Sequence, residues 1–320
     1  VNPGAEPALT PQKGESTLSG KNDCGYPAAA VPSWVFRIWP QRGRPGRKER
    51  AASARLEDEL GGQIVSSGRQ VRLSLYDFAA DSWIEHQADR QFYPASMIKM
   101  LLLLAALEQA ERGNLLLERA HLLRESDRYA GRTAVAGTGI LQFAAAGSSY
   151  TLKELLWLMI ALSDNVATNI VFEQIDAAGC AATARKLGLK ESAFSRRLYD
   201  LESELPSNRA TARELTRMLL ALHNREAAGE RLTRTGIEMM AATVDKSRIG
   251  RLIGERVVVA NKVGTVGDLV GDMALLYFPH RPPLALTIVV EHPPDREGAA
   301  RLIGTLAASI VQKLAFYPSR

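Results

Sequence analysis

Apolar positions become regular only from residue 52 onward. Ala52–Leu60 carries a helical period that the pair Gly61-Gly62 is expected to end. Two short runs, Val71–Tyr76 and Ser82–His86, alternate as strands and are joined through Ala79-Ala80-Asp81. A long helical region is expected from Ser96 to about Leu220. Within it, Thr151-Leu-Lys-Glu154 and Thr211-Ala-Arg-Glu214 each have a hydroxyl followed three residues later by Glu, the pattern of a capping box. Strand-like runs return at Val257–Lys262, Asp272–Phe278 and Leu284–Glu291, and Asp295–Leu314 reads as a closing helix. Strands, then many helices, then strands predict an α+β fold with a helical insertion and not a βαβ alternation. No internal repeat is present.

Residues 1–51 have no sustained apolar period and are rich in Pro, Gly, Ser and charge, so they read as a poorly ordered basic arm ahead of a folded domain over 52–318. The charge follows that division. The chain has 40 Lys/Arg and 35 Asp/Glu; residues 1–54 hold eight of the former and four of the latter, leaving the body with 32 and 31. A nearly neutral body argues against nucleic acid as a partner. Hydrophobic residues make up 46% of the 320 and charged residues 23%, which excludes a chain disordered throughout. Two cysteines, Cys24 and Cys180, cannot build a disulfide framework, and five scattered histidines leave little for a metal site, so no metal and no cofactor are expected. The longest apolar runs, Met100–Leu107 and Leu155–Leu162, fall far short of the ~20 residues of a membrane span. Val1–Lys21 lacks the apolar core of a signal peptide.

Three short motifs carry candidate chemistry. Tyr93-Pro-Ala-Ser96-Met-Ile-Lys99 places a serine and a lysine three apart, on one helix face. A serine hydroxyl needs a base, and lysine can be one if burial and a neighbouring cation lower its pKa from about 10.4. Of the ten lysines, Lys99 alone has Ser at i−3, and its setting is strongly apolar. Ser163-Asp164-Asn165 follows a buried apolar helix; it reads either as a cleft floor or as the cap of a helix Val166–Ile175. Lys262-Val-Gly264-Thr265 ends a strand-like run. There a lysine can bind a carboxylate, a glycine permits close approach, and a backbone N–H can face an oxyanion; the plain alternative is a strand-to-turn lysine with a glycine bend.

Together, in order and spacing, the three motifs resemble those of the penicillin-recognising serine hydrolases, especially the class A β-lactamases. The resemblance covers about residues 52–316. It implies an antiparallel sheet flanked by terminal helices, with a large all-helical subdomain. It implies Ser96 as acylated nucleophile, Lys99 as its proton partner, Ser163 as proton relay to the departing nitrogen, and Asn165, Lys262, Gly264 and Thr265 as substrate-binding residues. The N–H groups of Ser96 and Thr265 would form the oxyanion hole. The implied partner is a β-lactam or a peptidoglycan-like peptide, and the protein is expected to be a monomer. The family works in the periplasm or outside the cell, an expectation opposed by the lack of a visible signal peptide.

Two departures bear on the reaction. The family's deacylation loop, ExxLN, is matched by Glu202-Ser-Glu-Leu-Pro206, with proline in place of asparagine. Proline has no side-chain hydrogen bond to hold a water. Asn208 is a candidate substitute, and Asp200 and Glu204 compete with Glu202 as the base. Val263 stands where the family has Ser or Thr. The leading expectation is β-lactam hydrolysis through an acyl-enzyme on Ser96. The alternatives are a D-alanyl-D-alanine carboxypeptidase or esterase, or a sensor that is acylated by penicillin and stays so.

Overall fold

The computed structural model describes residues 31–37 and 47–315. The chain order is α1 (Arg47–Ser67), β1 (Gln70–Asp77), β2 (Ser82–His86), α2 (Lys99–Glu111), β3 (Ala120–Leu122), β4 (Tyr129–Ala130), β5 (Thr133–Ala134), β6 (Ser149–Thr151), α3 (Leu152–Ala161), α4 (Asn165–Lys186), α5 (Ala212–His223), α6 (Glu230–Ala241), β7 (Val258–Val266), β8 (Leu269–Phe278), β9 (Arg281–Glu291) and α7 (Arg296–Ala315).

Five strands form one antiparallel sheet in the order β2-β1-β9-β8-β7. Its two faces are both covered, which explains why β8 and β9 read as nearly continuous apolar runs. Leu276, Leu284, Leu286, Ile288 and Val290 point to one face, where they meet Leu56, Leu60 and Ile64 of α1 and Ile303, Leu306 and Ile310 of α7. Met273, Leu275, Tyr277, Ala285 and Val289 point to the other, against the helical layer. The period of two in the strands thus sorts residues between two cores. At the centre of the helical layer lies α2, every residue from Lys99 to Glu108 buried. A helix apolar on all sides is a core helix, which accounts for the run Met100–Leu107. The expected α+β fold, with terminal helices and a helical region, is the one found.

Several boundaries differ from expectation. Helix α1 runs straight through Gly61 and Gly62, because Leu56, Leu60 and Ile64 form a stripe buried on the sheet. That burial outweighs the ~1 kcal/mol that each helical glycine costs. The helix stops instead at Gly68, at φ +63°. The region from Ser96 to Leu220 is not continuously helical: 112–151 holds only short strands and 3-10 turns, and 187–211 only isolated bridges. The helix expected over Val166–Ile175 does break at Asp176 (φ 58°), then resumes to Lys186. Of the expected arm, Ser33–Phe36 forms a 3-10 turn whose Val35 is buried in the helical core, with Arg234 stacked over Phe36. Residues 1–30 and 38–46 lie outside the described residues.

Candidate active site

The serine and the lysine of the first motif sit on two successive pieces of structure. Ala95–Ile98 is a 3-10 turn, and α2 begins at Lys99. Ala95 adopts φ +48°, a left-handed conformation that side chains other than glycine adopt at a cost. This bend separates Ser96 from the preceding chain and leaves it half-buried, while Lys99 is fully buried.

The turn is held from the sheet side by a glycine pair. Gly264 of β7 lies opposite Gly271 of β8. A β-carbon on Gly264 would lie 2.9 Å from Pro94 O and 3.0 Å from Met97 Cγ, and one on Gly271 would lie 2.6 Å from Met97 Cε. The two bare positions form a dent that receives Met97 and brings β7 against the turn bearing Ser96. Gly264 therefore makes no bend. The motif Lys262–Thr265 lies inside β7, not at its end, and β7 is an edge strand, so its outward N–H groups are free of the sheet.

Ser163-Asp164-Asn165 divides its roles residue by residue. Asp164 is a cap: its carboxylate accepts from Ala167 N at 2.9 Å, and from Ile140 N and Leu141 N at 2.7 and 2.9 Å. Ser163, at φ +55°, turns both its carbonyl and its hydroxyl toward the lysines. Lys99 Nζ donates to Ser163 O at 2.7 Å and to Asn165 Oδ1 at 2.9 Å, and lies 3.2 Å from Ser163 Oγ. Lys262 Nζ donates to the same Oγ at 2.9 Å and to Val263 O at 3.0 Å.

The electrostatics push both amines toward the neutral form. Burial first, and then the Lys262 charge, push the Lys99 pKa well below the ordinary amine value; Asp164 opposes this. Burial and Arg248 lower Lys262 to about 7. A neutral Lys99 has two hydrogens, which Ser163 O and Asn165 Oδ1 accept, and one lone pair. Ser163 Oγ, accepting a hydrogen bond from Lys262, can then direct its own hydrogen at that lone pair. The result is an ordered line from Lys262 through Ser163 to Lys99.

Arg248 is a site residue that no local pattern signals. It precedes β7 by ten residues and is buried. Its guanidinium donates to Gly264 O at 2.8 Å, to Gly271 O and to Thr265 Oγ1, and it pairs with Asp245 at 3.6 Å. It therefore adds a second cation at the Lys262 end of the cleft.

The loop 196–208 behaves differently from the three motifs. Glu202 has a side chain 52% exposed, with Arg132 Nε as its nearest cation at 3.9 Å. Asp200 faces Arg197 at 3.9 Å, and Glu204 is exposed. No carboxylate oxygen is among the hydrogen-bond partners of Lys99. Asn208 is buried and committed elsewhere: its Oδ1 accepts from Ser195 N and Arg196 N, and its Nδ2 donates to Arg196 O. It ties the base of the loop and is not free to hold a water. Among the described residues no His, Cys, Asp and Glu group could hold a metal ion.

A five-stranded antiparallel sheet between terminal helices and a helical layer brings Ser96, two buried lysines and Ser163 to one junction. A model of the β-lactamase enzyme family matches residues 55–314, and the chain belongs to that family, on its class A branch. A β-lactamase of Streptomyces fradiae is 27% identical over 304 residues, covering 89% of this chain and 93% of its own length. The structure of a β-lactamase from Sphaerobacter thermophilus DSM 20745 superposes with a TM-score of 0.74 at 24% identity, covering 84% of this chain and 98% of that one. A variant of PBP-A, solved as its acyl-enzyme complex with penicillin G, gives a TM-score of 0.71 at 22% identity over 86% of this chain and 98% of its own.

Proposed function

We propose that the protein is a serine hydrolase that opens β-lactam amide bonds through an acyl-enzyme on Ser96. The observation that supports this is Lys99, a fully buried amine whose charge burial and Lys262 both disfavour. In this reading Lys99 takes the Ser96 proton as Oγ attacks the carbonyl carbon. The developing oxyanion meets the N–H groups of Ser96 and Thr265, which act only on charge formed in the transition state. Ser163 delivers a proton to the departing nitrogen and is resupplied by Lys99 with the proton taken from Ser96, which returns Lys99 to its neutral form. Asn165 holds the substrate amide, and Lys262 with Arg248 faces the substrate carboxylate.

Deacylation needs a base beside a water on the acyl face. Glu202 is the residue assigned to this step by sequence, and its half-exposed place opposite Arg132 favours a second reading. In that reading the acyl-enzyme forms readily and is hydrolysed slowly, as in a peptidase or a penicillin-acylated sensor. Intact-mass spectrometry with excess chromogenic cephalosporin, read beside the absorbance, separates the two. Many turnovers with little adduct support a working β-lactamase. One stable adduct per chain supports the second reading. No adduct and no turnover overturn both.

A further inference from the structure

Behind β7, on the sheet face away from the cleft, a polar set lies in an otherwise apolar core. Asp272 pairs in register with Ile288, whose side chain belongs to the core under α1 and α7. Asn261 precedes Lys262 on β7, so the two side chains leave on opposite faces. Asn261 and Asp272 are both fully buried. Lys246, from the segment between α6 and β7, completes the set. None of the three takes part in the acylation steps.

The hydrogen bonds of this set run in one direction. Lys246 Nζ donates to Ala241 O at 3.1 Å, to Val259 O at 2.8 Å and to Asn261 Oδ1 at 2.7 Å. An ammonium has only donors, so it fixes which end of the Asn261 amide faces it. The amide nitrogen then faces the other way. It donates to Asp245 O at 3.0 Å and to the Asp272 carboxylate at 3.1 and 3.2 Å. Asp272 in turn accepts from Ile249 N at 3.1 Å. Burial lowers Lys246 to about 8, opposed by Asp272 and Asp245. Burial raises Asp272 to about 6, opposed first by Arg248. At pH 7 the lysine therefore keeps its proton and the carboxylate its charge.

The two backbone groups held in this way belong to Asp245 and Ile249, which bracket Arg248. The segment is tied to β7 and β8 from behind, while the Arg248 guanidinium reaches Gly264 O and Thr265 Oγ1 at the cleft edge. We propose that Lys246 is a positioning residue for the reaction: through the Asn261 amide and Asp272 it holds the 245–249 segment, and so places the Arg248 guanidinium where it meets the substrate carboxylate. This rests on the acyl-enzyme reading above and deepens it by naming the residue that sets the cationic end of the cleft. Lys246 touches no substrate and acts through Arg248. Without its ammonium the Asn261 amide is free to turn over, which releases both Asp245 O and Asp272.

The test compares acylation by benzylpenicillin and by its methyl ester, which offers Arg248 no charge. Second-order rates are read by intact mass for the native protein, Lys246→Met and Asn261→Leu, and for each change combined with Arg248→Gln. Methionine keeps the apolar stem that packs beside Gly250. Asn261→Leu breaks the same chain at its middle, so a folding defect in one variant leaves the other to decide. Each single variant is expected to lose about five- to tenfold on benzylpenicillin, the effect of one hydrogen bond. The rate on the ester is expected to stay within about twofold, with no further selective loss once Arg248 is replaced. A loss equal on both compounds assigns the set a structural role and overturns the proposal, as does an unchanged rate on benzylpenicillin. A selective loss that persists beside Arg248→Gln overturns it too, because the route would bypass Arg248. A native protein acylated equally by both compounds overturns this assignment and leaves the acyl-enzyme reading intact; acylation by neither overturns that reading as well.

Discussion

At the residue scale, the site rests on few atoms with little slack. Ser96→Ala removes the nucleophile and leaves Lys99, Ser163 and Lys262 in place, so labelling by a fluorescent penicillin is expected to vanish; persistent labelling would transfer the nucleophile elsewhere. Gly264→Ala tests the contact that brings β7 to the serine turn. The added methyl meets the Pro94 carbonyl, a backbone atom that cannot swing aside. A loss of about 1–3 kcal/mol in urea unfolding is expected, the usual cost of overpacking, together with slower acylation. A stable, fully active variant would show that the dent has no positional role.

At the element scale, the helices show where local preference gives way to packing. Gly61 and Gly62 lie within α1 with open space at each β-carbon position. Each Gly→Ala change is expected to stabilise the protein by about 0.5–1 kcal/mol, read as a higher urea midpoint. No gain would mean that α1 contributes little to the unfolding transition. The two predicted capping boxes also part company. Thr151 and Glu154 form the full reciprocal box. Thr211 accepts from Glu214 N, but the Glu214 carboxylate turns to Lys190 N and Glu191 N, fastening the 187–211 stretch to α5. In the same stretch, Glu202→Gln tests the deacylation assignment. With Glu202 beside Arg132 and not among the hydrogen-bond partners of Lys99, acylation and deacylation rates are expected to stay within about twofold, a scale set by loss of an exposed ion pair. A trapped acyl-enzyme in the variant would restore Glu202 as the base.

At the scale of the whole molecule, the buried amines make stability depend on pH. Lys262 titrates near 7 in the folded protein and near its ordinary 10.5 when unfolded, and Lys99 is displaced in the same direction. Between these values the unfolded chain holds protons that the folded chain has released. Raising the pH from 7 toward 9 therefore removes a penalty on folding, by up to about 1.4 kcal/mol per pH unit for each such group. Unfolding free energy is expected to rise over this interval, and Lys262→Met to flatten the rise. A fall with pH in the native protein would show that these amines remain charged in the fold.

Legibility in the sequence followed the range of the interaction. Ser96, Lys99, Ser163, Asn165 and Lys262 were legible as candidates because each motif is a short run whose chemistry is local, and the α+β order was visible because periods of two and 3.6 are written into adjacent residues. The continuation of α1 through two glycines was not, since the sheet that stabilises it is formed by residues up to Glu291. Arg248 and the Gly264–Gly271 dent were equally hidden. Their roles come from contacts across strands and loops that no local spacing encodes. The sequence by itself determined the chemical groups and the elements carrying them, because side-chain identity and amphipathic period are local properties. Only the tertiary structure decided that both lysines of the motifs are stripped of water and that Met97 sits in a dent between β7 and β8. Burial and proximity are properties of the packed chain.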